Sequence, residues 1–208
     1  MYRVPIHFQA IRVRLPEREI FARLGFRKGL TSLSAAERET VSKTIEEASD
    51  IVLLKGAALV MDIRDRDDAG ITLEGGTVFP SSSLTGMLAG CSGALLMGAT
   101  AGQGIMDAIA ACSSQNLTRA VILDAVGSEM ADAALDWIMD YAGQDLLRSS
   151  RRLTRKRFSA GYGDFSLENQ QTMFDMLQLG EIGIRMTPAK VLIPEKSVTA
   201  VAGVLRLT

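Results

Sequence analysis

From Gly75 to Met106 the chain runs without a single charged residue. A stretch so long and so apolar has to be removed from water, either inside a folded core or across a membrane. A spanning helix needs about 20 uninterrupted, predominantly apolar residues. Here Gly75, Gly76, Gly86, Gly90, Gly93, Gly98, Gly102 and Gly104, together with Pro80 and Ser81 to Ser83, break the segment into short pieces. The pattern predicts no membrane span. It predicts a buried strand, CSGALLMGAT, then a glycine-rich turn leading into a helix, GIMDAIAACSSQ.

The rest of the chain can supply what buries that strand. At 208 residues and 47% hydrophobic content there is enough apolar surface for one domain with a real core. A formal net charge of −1 and a pI near 5.9 argue against a nucleic-acid partner, because such domains carry a broad basic surplus. Cys91 and Cys112 are too few and too far apart to form a disulfide framework. The N-terminal MYRVPIHFQAIRV has early charges and no long apolar core, so it does not read as a signal peptide. The expectation is a reduced, cytoplasmic protein.

Helical and strand patterns alternate along the chain. Ser34-Ala-Ala-Glu37 is a capping box ahead of ERETVSKTIEEASDIV, predicting a helix from about residue 35 to 50. ALVMDIR and GITLEGGTVF read as strands around a polar RDRDDAG turn. In EMADAALDWIMDYAGQDL the apolar residues Met130, Ala133, Ala134, Trp137, Ile138 and Tyr141 recur at steps of three and four, predicting a helix with one buried stripe. Its other face carries Glu129, Asp132, Asp136 and Asp140, a pattern that ordinarily marks a solvated face, with Glu129 falling in the predicted first turn. LENQQTMFDMLQLGEI reads as a further helix, and AKVLIPEKSVTAVAGV as two strands around Pro194 to Ser197. With no repeat or linker to divide the chain, the fold class expected is α+β, a single domain over residues 1–208.

Several chemistries are excluded by missing residues. His7 is the only histidine, so a multi-histidine zinc site is impossible, and its strand-like, motif-free setting reads as structural. Gly102-Gln-Gly104 lacks the third glycine of a dinucleotide-binding turn and reads as a packing turn. There is no phosphate-binding loop and no spaced cysteine cluster.

One segment stands apart from this neutral background. RSSRRLTRKR, from Arg148 to Arg157, holds six basic residues in ten positions and no acid, and RFSAGY follows from its last arginine. After it come the helix ENQQTMFDML, the step Gly183-Ile-Arg-Met-Thr187, and VLIPEKSVTAV. This ordered set, from about Glu129 to Val204, resembles the activation domain of cobalamin-dependent methionine synthase, whose S-adenosylmethionine motif is Arg-x-x-x-Gly-Tyr. The likeness implies a mainly antiparallel, twisted β-sheet with flanking helices. It also implies a free-standing activation subunit that binds S-adenosylmethionine and supports reductive methylation of cobalamin carried by a partner, a methionine synthase or related corrinoid protein. A flavodoxin- or ferredoxin-like protein would supply the electrons, with the basic run as its docking face.

By the same resemblance, Arg157 would hold the ligand carboxylate and Glu129 its ammonium group. Ser159, Ala160 and Gly161 would allow close backbone approach, and Tyr162 would stand beside the ligand, facing the corrinoid and the reacting atoms. The sequence departs from the family pattern at Phe158 and Gly163, where prolines are usual, and at Arg151, where the family places a second acid. Nothing in it matches a corrinoid-ligating motif, so turnover by the isolated chain is not expected. Two other readings fit the same residues: a binding or scaffold protein that keeps the fold without S-adenosylmethionine, and an activator of a different corrinoid methyltransferase.

Overall fold

The structure, a computed structural model, describes residues 4–27 and 30–207. The first three residues of the N-terminal segment and Thr208 lie outside them. In chain order the elements are β1 (Ile6–Phe8), α1 (Glu17–Arg23), α2 (Ala35–Ile51), β2 (Lys55–Asp67), β3 (Gly70–Leu73), β4 (Val78–Pro80), α3 (Ser82–Met87) and β5 (Gly93–Thr100). They continue with α4 (Gln103–Cys112), α5 (Leu117–Leu147), β6 (Arg151–Phe158), α6 (Asn169–Leu177), a short 3-10 turn (Leu179–Ile182), β7 (Arg185–Met186), β8 (Leu192–Ile193) and β9 (Ser197–Arg206).

The charge-free strand sits at the heart of this arrangement. The sheet order is β4-β3-β2-β5-β9-β6, with β1 also paired to β2, and every pairing is antiparallel. In β5 all residues are buried because both faces are covered. Leu95, Met97 and Ala99 point to a core shared with α1, α2, α4 and α5, whereas Ala94 and Leu96 point to a second core closed by α3, α6 and the 3-10 turn. An antiparallel strand usually alternates apolar and polar residues; here two covered faces remove the alternation. Space over β5 is tight at Gly98, where a Cβ would lie 2.8 Å from the Leu179 side chain. The fold is thus α+β, with a mainly antiparallel sheet and flanking helices, and among the described residues no helix is long and apolar enough to cross a membrane.

Local signals succeeded where short-range chemistry controls the outcome. Ser34 accepts from the Glu37 backbone N–H at 3.2 Å while the Glu37 carboxylate accepts from the Ser34 N–H at 2.9 Å, the reciprocal capping box, and α2 runs to Ile51. Elsewhere the boundaries differ. GITLEGGTVF is not one strand but two, because Gly75 and Gly76, with φ of +93° and +87°, turn the chain between β3 and β4. The RDRDDAG segment continues β2 as far as Asp67 before turning. LENQQTMFDMLQLGEI divides at Gln178, which has φ +50°, into α6 and the 3-10 turn. β8 pairs with β7 in a separate ribbon instead of with β9.

The largest correction concerns the helix that carries the acidic stripe. It begins at Leu117, capped by Asn116, whose side-chain oxygen accepts from the Arg119 N–H at 2.9 Å. Glu129 therefore lies in the middle of α5, not in its first turn, and draws nothing from the helix dipole, which acts within the terminal turns. The predicted apolar stripe is buried at Met130, Ala134 and Ile138; Tyr141 is exposed and packs with Phe8 and Trp137 in a surface aromatic cluster. His7 has a structural place as well, with Nε2 2.9 Å from the Leu177 carbonyl oxygen. Cys91, buried, and Cys112, half-buried, are both free thiols.

Candidate functional site

The basic run is a strand with a fault in it. β6 lies at the sheet edge against β9, pairing Leu153 with Val204 and then Arg157 with Ala202, so the residues between form a bulge. The Thr154 hydroxyl replaces the missing ladder bond, accepting from the Gly203 N–H at 2.9 Å and donating to the Lys156 carbonyl at 3.1 Å. The bulge breaks the alternation of the run, and its cations take different partners. Arg151 is largely buried and reaches Asp62 at 3.4 Å. Arg157 faces α5. Arg152, Arg155 and Lys156 make no ion pair among the described residues.

Arg157 is gripped by two acids of the stripe. Its guanidinium donates to Asp136 and lies 3.0 Å from Asp132. These two carboxylates are four residues apart on α5, so successive turns present them to one fork. Burial alone would lower the pKa of Arg157; the neighbouring Asp132 and Asp136 outweigh it and raise the pKa above the ordinary arginine value. The stripe is therefore only partly the solvated face that its spacing suggested. Glu129 is occupied elsewhere: it forms a short ion pair with Arg23 of α1. Arg157, which faces α5, and Glu129, which lies on α5, are expected to share one ligand but hold different partners, with Asp132 a turn closer to Arg157.

Beyond Arg157 the chain leaves β6 through Ser159 and Ala160 into a tight turn. Gly161 takes φ +90° and its N–H donates to the Phe165 carbonyl at 2.7 Å, while the Phe165 N–H returns to Tyr162 O at 3.0 Å. Gly163, at φ +54°, stands where the family has a proline and adopts a conformation closed to proline. Tyr162, between the glycines, is 67% exposed. Phe165 is fully buried, edge-on to Phe79 and stacked over Phe158.

One contact of this loop had no sequence signal that identified it. Asp164 spans from the loop to the start of α3, accepting from the Ser81 hydroxyl and from the Ser82 hydroxyl and N–H, each at 2.7 Å, and from the Ser83 N–H at 3.2 Å. The Ser81 and Ser82 hydroxyls, with Ser83 beside them, hold its carboxyl well below the usual aspartate range. The only hint in the sequence is that three consecutive serines break an apolar segment and one acid follows the Gly-Tyr-Gly turn.

Beside Arg157 lies open space. A groove of about 550 Å³ runs between α5 and β6, with Met139, Gly143 and Leu153 on its apolar floor, Asp136 on one wall and Arg152 and Arg155 on the other. That volume lies within the range of small-molecule sites. Through Asp136 the groove adjoins the Arg157 fork. The residues placed here are a guanidinium paired with two carboxylates, a turn with positive φ at Gly161 and Gly163, and an exposed phenol.

No family model and no curated protein matches the chain. Among solved structures, it is similar to the crystal structure of the MetH reactivation domain bound to AdoHcy, with a TM-score of 0.68 at 13% sequence identity, over 97% of this chain and 79% of that one. At that identity the likeness is one of fold, and it extends over nearly the whole chain, including the half preceding Glu129 where the sequence carried little resemblance.

Proposed function

We propose that this chain is a cytoplasmic, S-adenosylmethionine-binding accessory protein, active as one unit over its length, that supports reductive methylation of cobalamin held by a methionine synthase or related corrinoid partner. The observation that carries the reading is the fold shared with a domain bound to AdoHcy, with RFSAGY placed as a strand end followed by a positive-φ turn. The residues fit such a ligand in kind. Arg157 offers a half-buried guanidinium fork between α5 and the turn, set among acids. Gly161 leaves the backbone open, since a Cβ there would meet only the tip of Leu167, at 3.5 Å.

Bound there, S-adenosylmethionine would supply the methyl group, and a flavodoxin- or ferredoxin-like donor the electron. The chain itself binds and orients. Arg157 takes the ligand carboxylate, Asp132 and Asp136 receive the ammonium group with Glu129 one turn away, Ser159 to Gly161 admit the ligand against the backbone, and Tyr162 presents its ring toward the corrinoid. Calorimetric titration with S-adenosylmethionine and S-adenosylhomocysteine tests the reading, with micromolar or tighter binding expected; no binding of either by wild-type protein refutes it. Reactivation of an oxidised cobalamin methyltransferase, dependent on both S-adenosylmethionine and an electron source, tests the partnership.

One observation favours a second reading. The Arg157 fork is already filled by Asp132 and Asp136, the arrangement that a scaffold keeping the fold without the ligand would have. The same titration separates the two.

A further inference from the structure

Two anchors of different kinds flank the Gly161-Tyr162-Gly163 turn. Phe165 is buried between Phe79 and Phe158, and next to it the exposed Asp164 binds Ser81, Ser82 and Ser83 across more than eighty residues of chain. Phe165 fixes where the loop enters the core, and the Gly161 N–H to Phe165 carbonyl and Phe165 N–H to Tyr162 carbonyl bonds close the turn on itself. The carboxylate adds the side-chain tie from this turn to a separate element, because both of its oxygens are engaged by donors at the start of α3. Ser81 is itself 3% exposed and accepts from the Leu84 N–H at 2.9 Å, so the receiving side is fixed. Gly163 comes close to the same place: a Cβ on it would lie 3.7 Å from the Ser83 hydroxyl.

We propose that Asp164 is a positioning residue: by locking the loop to the start of α3, it holds the Gly161 backbone and the Tyr162 ring in the geometry in which they meet ligand and partner. This rests on the proposed function for the ligand, and on geometry alone for the anchoring. It also gives the serines of the charge-free segment a role, as the receiver of the loop. Asp164 is itself exposed and ties the loop to the start of α3, while Phe165 and the sheet are held by packing that does not involve its carboxylate.

The test compares wild-type protein with Asp164→Ala and Asp164→Asn, by hydrogen–deuterium exchange of the 159–165 segment and by titration with S-adenosylhomocysteine. In Asp164→Ala, exchange in 159–165 should accelerate about tenfold or more while β5 stays protected as in wild type. Affinity should fall about tenfold, measured at a temperature where the variant is still fully folded by its own melting curve, and Asp164→Asn, which keeps one acceptor oxygen, should lie between. Should Asp164→Ala fail to fold, Ser82→Ala removes one hydroxyl donor from the opposite side, leaving the backbone N–H, and is read the same way with a smaller change. Unchanged loop exchange overturns the inference, as does faster exchange with unaltered affinity. If wild-type protein binds neither S-adenosylmethionine nor its demethylated product, the proposed function falls, and loop exchange alone still decides whether Asp164 anchors the turn.

Discussion

Replacing Arg157 by alanine should separate ligand recognition from stability, and the structure sets the size of both effects. Arg157 leaves 24% of its side chain exposed, while its partners Asp132 and Asp136 are 48% and 66% exposed. Pairs this accessible are screened by water, and each contributes about 0.2 to 1 kcal/mol. Loss of both therefore costs about 0.5 to 2 kcal/mol, which for a chain of this size lowers the melting temperature by about 1 to 8 °C. Ligand binding should suffer more. A charge-assisted hydrogen bond is worth about 1.5 to 3 kcal/mol, so removing the fork should weaken S-adenosylhomocysteine binding about 10 to 150-fold. Arg157→Lys keeps the charge but not the bidentate geometry, and should recover stability more fully than affinity. Calorimetry at a temperature below both measured melting transitions reads binding free of unfolding. Equal dissociation constants for wild type and Arg157→Ala would refute the assignment of Arg157 to the ligand.

Other perturbations test neighbouring features. Gly161→Val places a β-branched residue at φ +90°, which costs about 1 to 3 kcal/mol of strain and should abolish measurable ligand binding in the same titration. Gly203→Ala would drive a methyl into Cys91 and to 2.8 Å from the Thr154 side chain; overpacking there should destabilise by about 1 to 3 kcal/mol in urea unfolding. Asp164 gives a pH signature: its folded-state pKa is depressed, so its anchoring is fully present above the unfolded value of about 3.9 and is lost as pH falls below it. Protection of 159–165, taken relative to the intrinsic exchange rate at each pH, should therefore fall on acidification over that window in wild type, and the fall should be absent in Asp164→Asn.

Much of the architecture follows from local chemistry that any reader of the chain can trace. The Ser34 and Glu37 capping box needs only residues three apart, and it forms as its spacing requires. The charge-free segment demands burial, and its glycines cut it into strand, turn and helix, which is the course of β5 and α4. After RFSA the chain turns at Gly161 with φ +90°, a conformation that glycine takes without strain. What those patterns could not reach is partnership across the chain. Charge spacing shows that Asp132 and Asp136 share a helix face, but only the placement of β6 beside α5, after a bulge of tertiary origin, brings Arg157 to them. Glu129 was read as the start of a helix because periodicity is blind to where a helix begins when apolar residues continue upstream; Asn116 supplies the cap a dozen residues earlier, and the docking of α1 gives Glu129 to Arg23. Asp164 and its serines lie far apart in sequence and become neighbours only when Phe165 and α3 pack into the same core on one face of the sheet. Periodicity and capping act over a few residues and are written in the sequence; ion pairs and anchors between distant segments depend on how the finished layers stack.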